Sequence, residues 1–152
     1  MKRFRFPLRP VAVLRAHREL RAREAFAAAV HACAQAEEEL AATRARVAQF
    51  EASLSSGRHG CFSAAAEVEM LAGYRGECAA EAEAGRAVVA AKAVLEQRRT
   101  EYLDAHRKLE VVKRLEAKAR LAHRVEAGRE EQAEFDEFAS RRSAVARSVL
   151  SV

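Results

Sequence analysis

The chain has 152 residues and a formal net charge of +5, is 50% hydrophobic, and contains no tryptophan. That is one domain's length of chain, but the apolar half is chiefly alanine, which buries little surface at roughly 25 cal/mol per Å², so a thick globular core is hard to build. Alanine, glutamate, arginine and leucine dominate the rest, a mixture that reads as long helix or coiled coil.

The opening stretch MKRFRFPLRPVAVLRAHREL begins basic, but its longest apolar run, Val11 to Leu14, is too short for a signal peptide and is closed by Arg15. No run approaches a transmembrane span, so a cytosolic chain is expected. The only prolines are Pro7 and Pro10, and from Val11 onward nothing forces the chain out of a helix until LSSGRHGCFS, Leu54 to Ser63. Two serines, two glycines and a histidine supply turn chemistry there, and Ser63 can cap the helix that follows. The reading is all-α: one helix over about 9–55, a turn over 56–62 and a longer helix over 63–148.

On the first helix Phe26, Cys33, Leu40, Val47 and Leu54 recur every seven residues, with Ala29, Ala36, Thr43 and Phe50 between them. On the second, Val68 and Leu71 begin a seam that drifts before settling into Val88, Leu95, Tyr102 and Leu109. Two such stripes joined by a short turn predict an antiparallel hairpin. Folding at Gly57 to Cys61 sets Phe50 opposite Val68, Val47 near Leu71, Val30 near Val88 and Cys33 opposite Gly85. At about 1.5 Å per residue the first helix runs on the order of 70 Å and the second roughly 125 Å. The first is then expected to end near Leu8, opposite Leu109, leaving about forty residues of the second unpaired, a length fixed by that register. Phe135 and Phe138, in FDEFASRR, lie on this overhang. Exposed aromatics beside charges mark a partner-binding surface; folding back or self-association is the alternative.

Gly73, Gly76, Gly85 and Gly128 sit inside the second helix, each costing about 1 kcal/mol relative to alanine. GYRG, residues 73–76, marks either a weak, kinked stretch or a docking spot at Met70 and Tyr74.

Residues 1–23 hold eight Lys/Arg against Glu19, residues 139–152 hold Arg141, Arg142 and Arg147 with no acid, and the stretch between is net negative by five. Basic ends suit anionic lipid, an acidic protein surface or nucleic acid, the last disfavoured because the ends lack interleaved aromatics and any recognition module. Cys33, Cys61 and Cys78 have no CxxC spacing and are expected to be reduced thiols; His59 and Cys61 share the turn but make only two metal ligands. No GxxxxGK[ST], HExxH or GxSxG occurs, and glutamate runs such as Glu37 to Glu39 read as solvated faces, so neither enzymatic activity nor a cofactor is expected.

The two ends carry a resemblance. FRFPLRPVAVLRAHRELRAREA at the start and EFDEFASRR at the close, with Asp136, Glu137, Phe138 and Ala139, resemble the ends of FliJ, the small cytosolic protein of the flagellar type III export apparatus. The resemblance implies an antiparallel two-helix coiled coil like the central stalk of rotary ATPases, peripherally associated with the inner-membrane export apparatus. It implies terminal helices that enter the hexameric export ATPase, a contact with the cytoplasmic domain of the export gate, and handling of export chaperones. Carried onto this sequence, it makes Phe135, Phe138, Arg141 and Arg142 the ATPase-binding residues and Met70, Tyr74 and Cys78 the gate-binding patch. The equivalent stalk of a virulence type III secretion system shares these features. A basic hairpin that binds membrane or RNA, and a self-associating coiled coil, are the readings from other classes.

Overall fold

A computed structural model describes residues 3–57 and 63–149, with side chains through Arg142. Two helices make up nearly all of it: α1, Arg9–Gly57, and α2, Ala64–Val149. The chain enters α1 from an irregular segment over residues 3–6 and a turn at Pro7 and Leu8. The Arg9 amide donates to the Phe6 carbonyl at 3.2 Å and the Ala12 amide to Leu8 at 2.9 Å. Pro10 falls in the first turn, where a missing N–H costs nothing.

The far end of α1 extends further than the turn chemistry of Leu54 to Ser63 suggested. Ser55 and Ser56 turn their hydroxyls back onto the helix, donating to the Ala52 and Ser53 carbonyls at 2.9 and 3.1 Å. Serine so placed continues a helix rather than breaking it. His59 and Cys61 lie outside the described residues. At Ser63 the carbonyl accepts from the Glu67 amide at 3.1 Å, which starts α2, and Glu67 in the first turn suits the positive end of the helix dipole. Helical structure continues through Gly73, Gly76, Gly85 and Gly128.

The fold is an all-α, antiparallel two-helix hairpin, and its contacts divide it into two compact units, Arg18–Ala105 and Met1–His17 with His106–Val152. In the Arg18–Ala105 unit the heptad stripe of α1 faces α2 as expected. Ala29, Cys33, Thr43 and Val47 are buried, and Phe26, Ala36, Leu40, Phe50 and Leu54 are half-buried. Thr43 satisfies its hydroxyl on the Glu39 and Leu40 carbonyls of its own helix.

On α2 the seam differs from the expectation. Val68 is 67% exposed and Leu71 is also exposed, while Met70, Tyr74, Glu77, Glu81 and Ala84 carry the stripe up to buried Val88. The seam does not drift; glutamates occupy it, because their methylene stems cover the neighbouring helix while the carboxylates reach arginines at the rim. Glu81 accepts from Arg44 at 3.1 Å and Glu77 from Arg46 at 2.9 Å. Further along, Lys92 meets Glu37 at 2.8 Å.

These pairs also correct the register. Phe50 meets Gly73 rather than Val68, Cys33 lies near Lys92 rather than Gly85, and Val30 is exposed rather than packed on Val88. The partners sit one to two turns further along α2. Cys33 and Cys78 are free thiols.

Two layers give this unit its aromatic content. Phe26 stacks on Tyr102 with centroids 5.8 Å apart and planes 3° from parallel; beside them the buried Glu19 carboxylate accepts from Arg23 at 2.7 Å and holds that guanidinium above its usual range. Nearer the turn, a Cβ on Gly73 would come 3.0 Å from Phe50 Cε1, so the glycine makes the socket for that ring. From the residues next to these two, the Tyr74 hydroxyl donates to Glu51 at 3.0 Å.

In the other unit the segment before α1 lies on α2. Phe4 contacts His123 edge-on, with centroids 5.4 Å apart, and the Arg120 guanidinium stands 5.8 Å from the Phe4 centroid. Leu109 and Val112 are buried, and partial burial continues to Ala127. The overhang is thus shorter than expected: α2 is covered past Leu109, and every described side chain from Gly128 to Arg142 is exposed.

Two outcomes test this packing. Gly76 has open space where a Cβ would go, so Gly76→Ala should raise the unfolding free energy by about 1 kcal/mol in urea. Gly73→Ala should gain clearly less, because the new methyl meets Phe50; equal gains would show that the ring is not seated there. Hydrogen bonds with Cys78 and then Glu51 push the Tyr74 phenol up to about 12. In a Tyr102→Phe variant the remaining tyrosine should ionise near that value. A raised pKa means the contribution of this contact is whole below the unfolded phenol's pKa of about 10 and is lost as pH rises through the folded value. Glu51→Gln should bring the absorbance midpoint down.

Candidate functional site

The final stretch of α2 presents apolar groups to solvent without a covering helix. Phe135 is 68% and Phe138 61% exposed. Their spacing puts them on adjacent turns of one face, where both can enter the same partner. The helix is supported along its own surface instead. Arg129 pairs with Glu126, Gln132 donates to Asp136 at 3.0 Å, and Arg141 pairs with Glu137. Arg142 stands 5.9 Å from the Phe138 centroid, a distance at which a guanidinium is drawn to the ring face. All four expected residues are therefore on one helix end. Arg142 is organised by the ring beside it, and Arg141 by a carboxylate one turn back.

The second expected patch has a different character. Met70, Tyr74 and Cys78 are half-buried along the seam with α1, and the Tyr74 hydroxyl is committed to Glu51. Gly73, which suggested room for a partner, accommodates Phe50 of the same chain. What remains accessible is one edge of each side chain.

A third surface was not anticipated. The segment Phe4 to Phe6 and the start of α1 leave a groove of about 720 Å³ against α2. Its walls include Phe4, Phe6, Val13 and Leu109, and Arg5, Arg9, Lys113 and Arg120 stand around it. A charge map of two short ends and one long middle conceals it. Residues 106–125 hold seven Lys/Arg against Glu110 and Glu116, while residues 126–138 hold Glu126, Glu130, Glu131, Glu134, Asp136 and Glu137 against Arg129. Summed together, the basic block and the acidic block cancel and disappear into a middle that is net negative by five. Glu110 is held below the usual carboxylate range by its hydrogen bond from Lys113, and Glu116 accepts from Arg120 at 2.9 Å. Both acids of the basic block are thus engaged within it.

Among the described residues no group of three His, Cys, Asp or Glu side chains is placed to hold a metal ion. No described helix is long and apolar enough to cross a membrane.

No curated protein and no solved structure matches the chain. The family described as Flagellar FliJ protein matches residues 4–148. With both the aromatic N-terminal segment and the exposed helix end inside that span, the chain belongs to the FliJ family.

Proposed function

We propose that this protein is a non-catalytic stalk of the flagellar type III export apparatus, which inserts its terminal helices into the hexameric export ATPase and links it to the export gate and export chaperones. The observation that carries this reading is the bare end of α2, exposed from Gly128 to Arg142 and bearing two accessible phenylalanines. In the proposed complex Phe135 and Phe138 enter an apolar collar of the ring, and Arg141 and Arg142 meet acids at its rim. Aromatic anchors that become fully desolvated supply most of the energy of such interfaces, while rim charges set approach and orientation. The helix pairs that support this end in isolation keep it near its bound conformation, which lowers the entropy cost of insertion.

The same reading gives Met70, Tyr74 and Cys78 to the gate, through the edges that α1 leaves uncovered. It also places the protein at the cytoplasmic face of the inner membrane, held there by its partners. The role needs no bound cofactor: the stalk supports ring assembly and couples the ring's nucleotide turnover to the gate.

The test is stimulation of the purified export ATPase. Wild-type protein should raise its activity, and Phe135→Ala/Phe138→Ala should shift the half-maximal concentration upward on the order of 30-fold, the cost of losing one interface hot spot. Circular dichroism should show the helicity kept. Unchanged stimulation by this variant would overturn the assignment of these residues.

A further inference from the structure

A second hollow of about 450 Å³ adjoins the groove on α2. Lys113, Glu116 and Arg120 line both, and Leu121 and Arg124 line the second alone. The shared residues place the two hollows on one flank of the unit that contains residues 3–17 and 106–125. Arg5, Arg9, Lys113, Arg120 and Arg124 stand along this flank, all of them exposed. Its one acid, Glu116, accepts from Arg120. Among the described residues no ion pair joins Arg5, Arg9 or Arg124 to a carboxylate. The flank also carries two aliphatic side chains turned to solvent, Val13 of α1 at 65% exposure and Leu121 of α2 at 62%.

Cations without counter-charges call for a polyanion, and the aliphatic pair narrows which one. A nucleic acid would gain nothing from Val13 and Leu121, and it would need free rings to stack on; Phe4 and Phe6 are half-buried, and Phe4 is engaged by His123 and Arg120. An acidic helix would lie lengthwise in the groove, and Phe4, reaching Arg120 and His123, lies across that path. An anionic bilayer meets both demands. Its phosphates supply counter-charge without a fixed register, and aliphatic side chains enter the interface while arginine and lysine keep their charges at the headgroups. We infer that this flank docks on an anionic phospholipid bilayer, with Arg5, Arg9, Lys113, Arg120 and Arg124 at the phosphates and Val13 and Leu121 entering the interface. Residues 126–138, with six carboxylates against Arg129, are repelled by the same surface. The bare end of α2 is thereby kept off the lipid and left to a protein partner. The contact rests on the charge and exposure of this flank and not on the ATPase reading, so either can fail without the other.

Co-sedimentation of the full chain with vesicles, with no other protein present, tests the contact. Vesicles of phosphatidylglycerol and phosphatidylcholine should bind the chain at low salt and release most of it as salt rises, and phosphatidylcholine alone should not bind it. Arg9→Gln/Arg124→Gln should weaken anionic binding roughly 25-fold, at about fivefold for each cation near the surface. Arg107→Gln/Arg114→Gln removes the same charge from residues that line neither hollow and should retain most of the binding. Val13→Ser/Leu121→Ser should weaken binding several-fold, and circular dichroism should show every variant folded. Absence of binding to the anionic vesicles overturns the proposal, as do equal losses from the two arginine pairs. So does wild-type binding by Val13→Ser/Leu121→Ser, because a purely ionic contact would accept RNA as readily as lipid.

Discussion

The thinness of the seam between the two helices governs the rest of this structure. Its buried apolar members are Ala29, Cys33, Val47, Val88, Leu109 and Val112, so small side chains do much of the packing. Small side chains specify register poorly, because a shift of one heptad exchanges one small contact for another. Alignment therefore falls to a few directional features: Phe50 in the socket at Gly73, and the cross-helix pairs Arg44 with Glu81, Arg46 with Glu77 and Glu37 with Lys92. Each of these ion pairs is exposed and weak in water. Together with a ring that fits only one place, they decide where α1 stops covering α2, and hence which residues of α2 are left to face a partner.

The heptad on α1 was fully legible, since Phe26, Cys33, Leu40, Val47 and Leu54 are spaced by sevens and all turn inward. That of α2 was legible only from Val88 onward. Before it, Glu77 and Glu81 hold seam positions, and a reading that follows large apolar residues passes to Val68 and Leu71, which face solvent. The serines at the end of α1 misled in the same manner: Ser55 and Ser56 have turn chemistry, but their hydroxyls had carbonyls within reach on the preceding helical turn. A register shift of one to two turns moved the pairings, and the segment before α1, lying on α2 as far as His123, accounts for the rest of the shorter overhang.

The exposed end of α2 could be anticipated because nothing in the sequence was left to cover it, whatever the register. The groove could not. It exists because Phe4 is carried back onto Arg120 and His123 by the irregular segment before α1, a tertiary contact between residues more than a hundred positions apart. The charge blocks that flank it were visible in principle, as HRKLEVVKRLEAKARLAHRV followed by EAGREEQAEFDEF. They were lost by summing across the point where the sign changes.

The bare stretch from Gly128 to Arg142 has one more consequence, for cooperativity. Residues that share a packed seam open together, whereas a helix supported only by its own backbone and neighbouring side chains obeys helix–coil statistics. This stretch opens from its C-terminal side in small steps, with Gly128 as the weak point where those steps meet the cooperative part. A thermal melt followed by helicity then contains a gradual component beneath the main transition. Amide exchange along α2 should then fall from fast to slow across Ala127 rather than at a loop, a boundary in protection with no boundary in secondary structure.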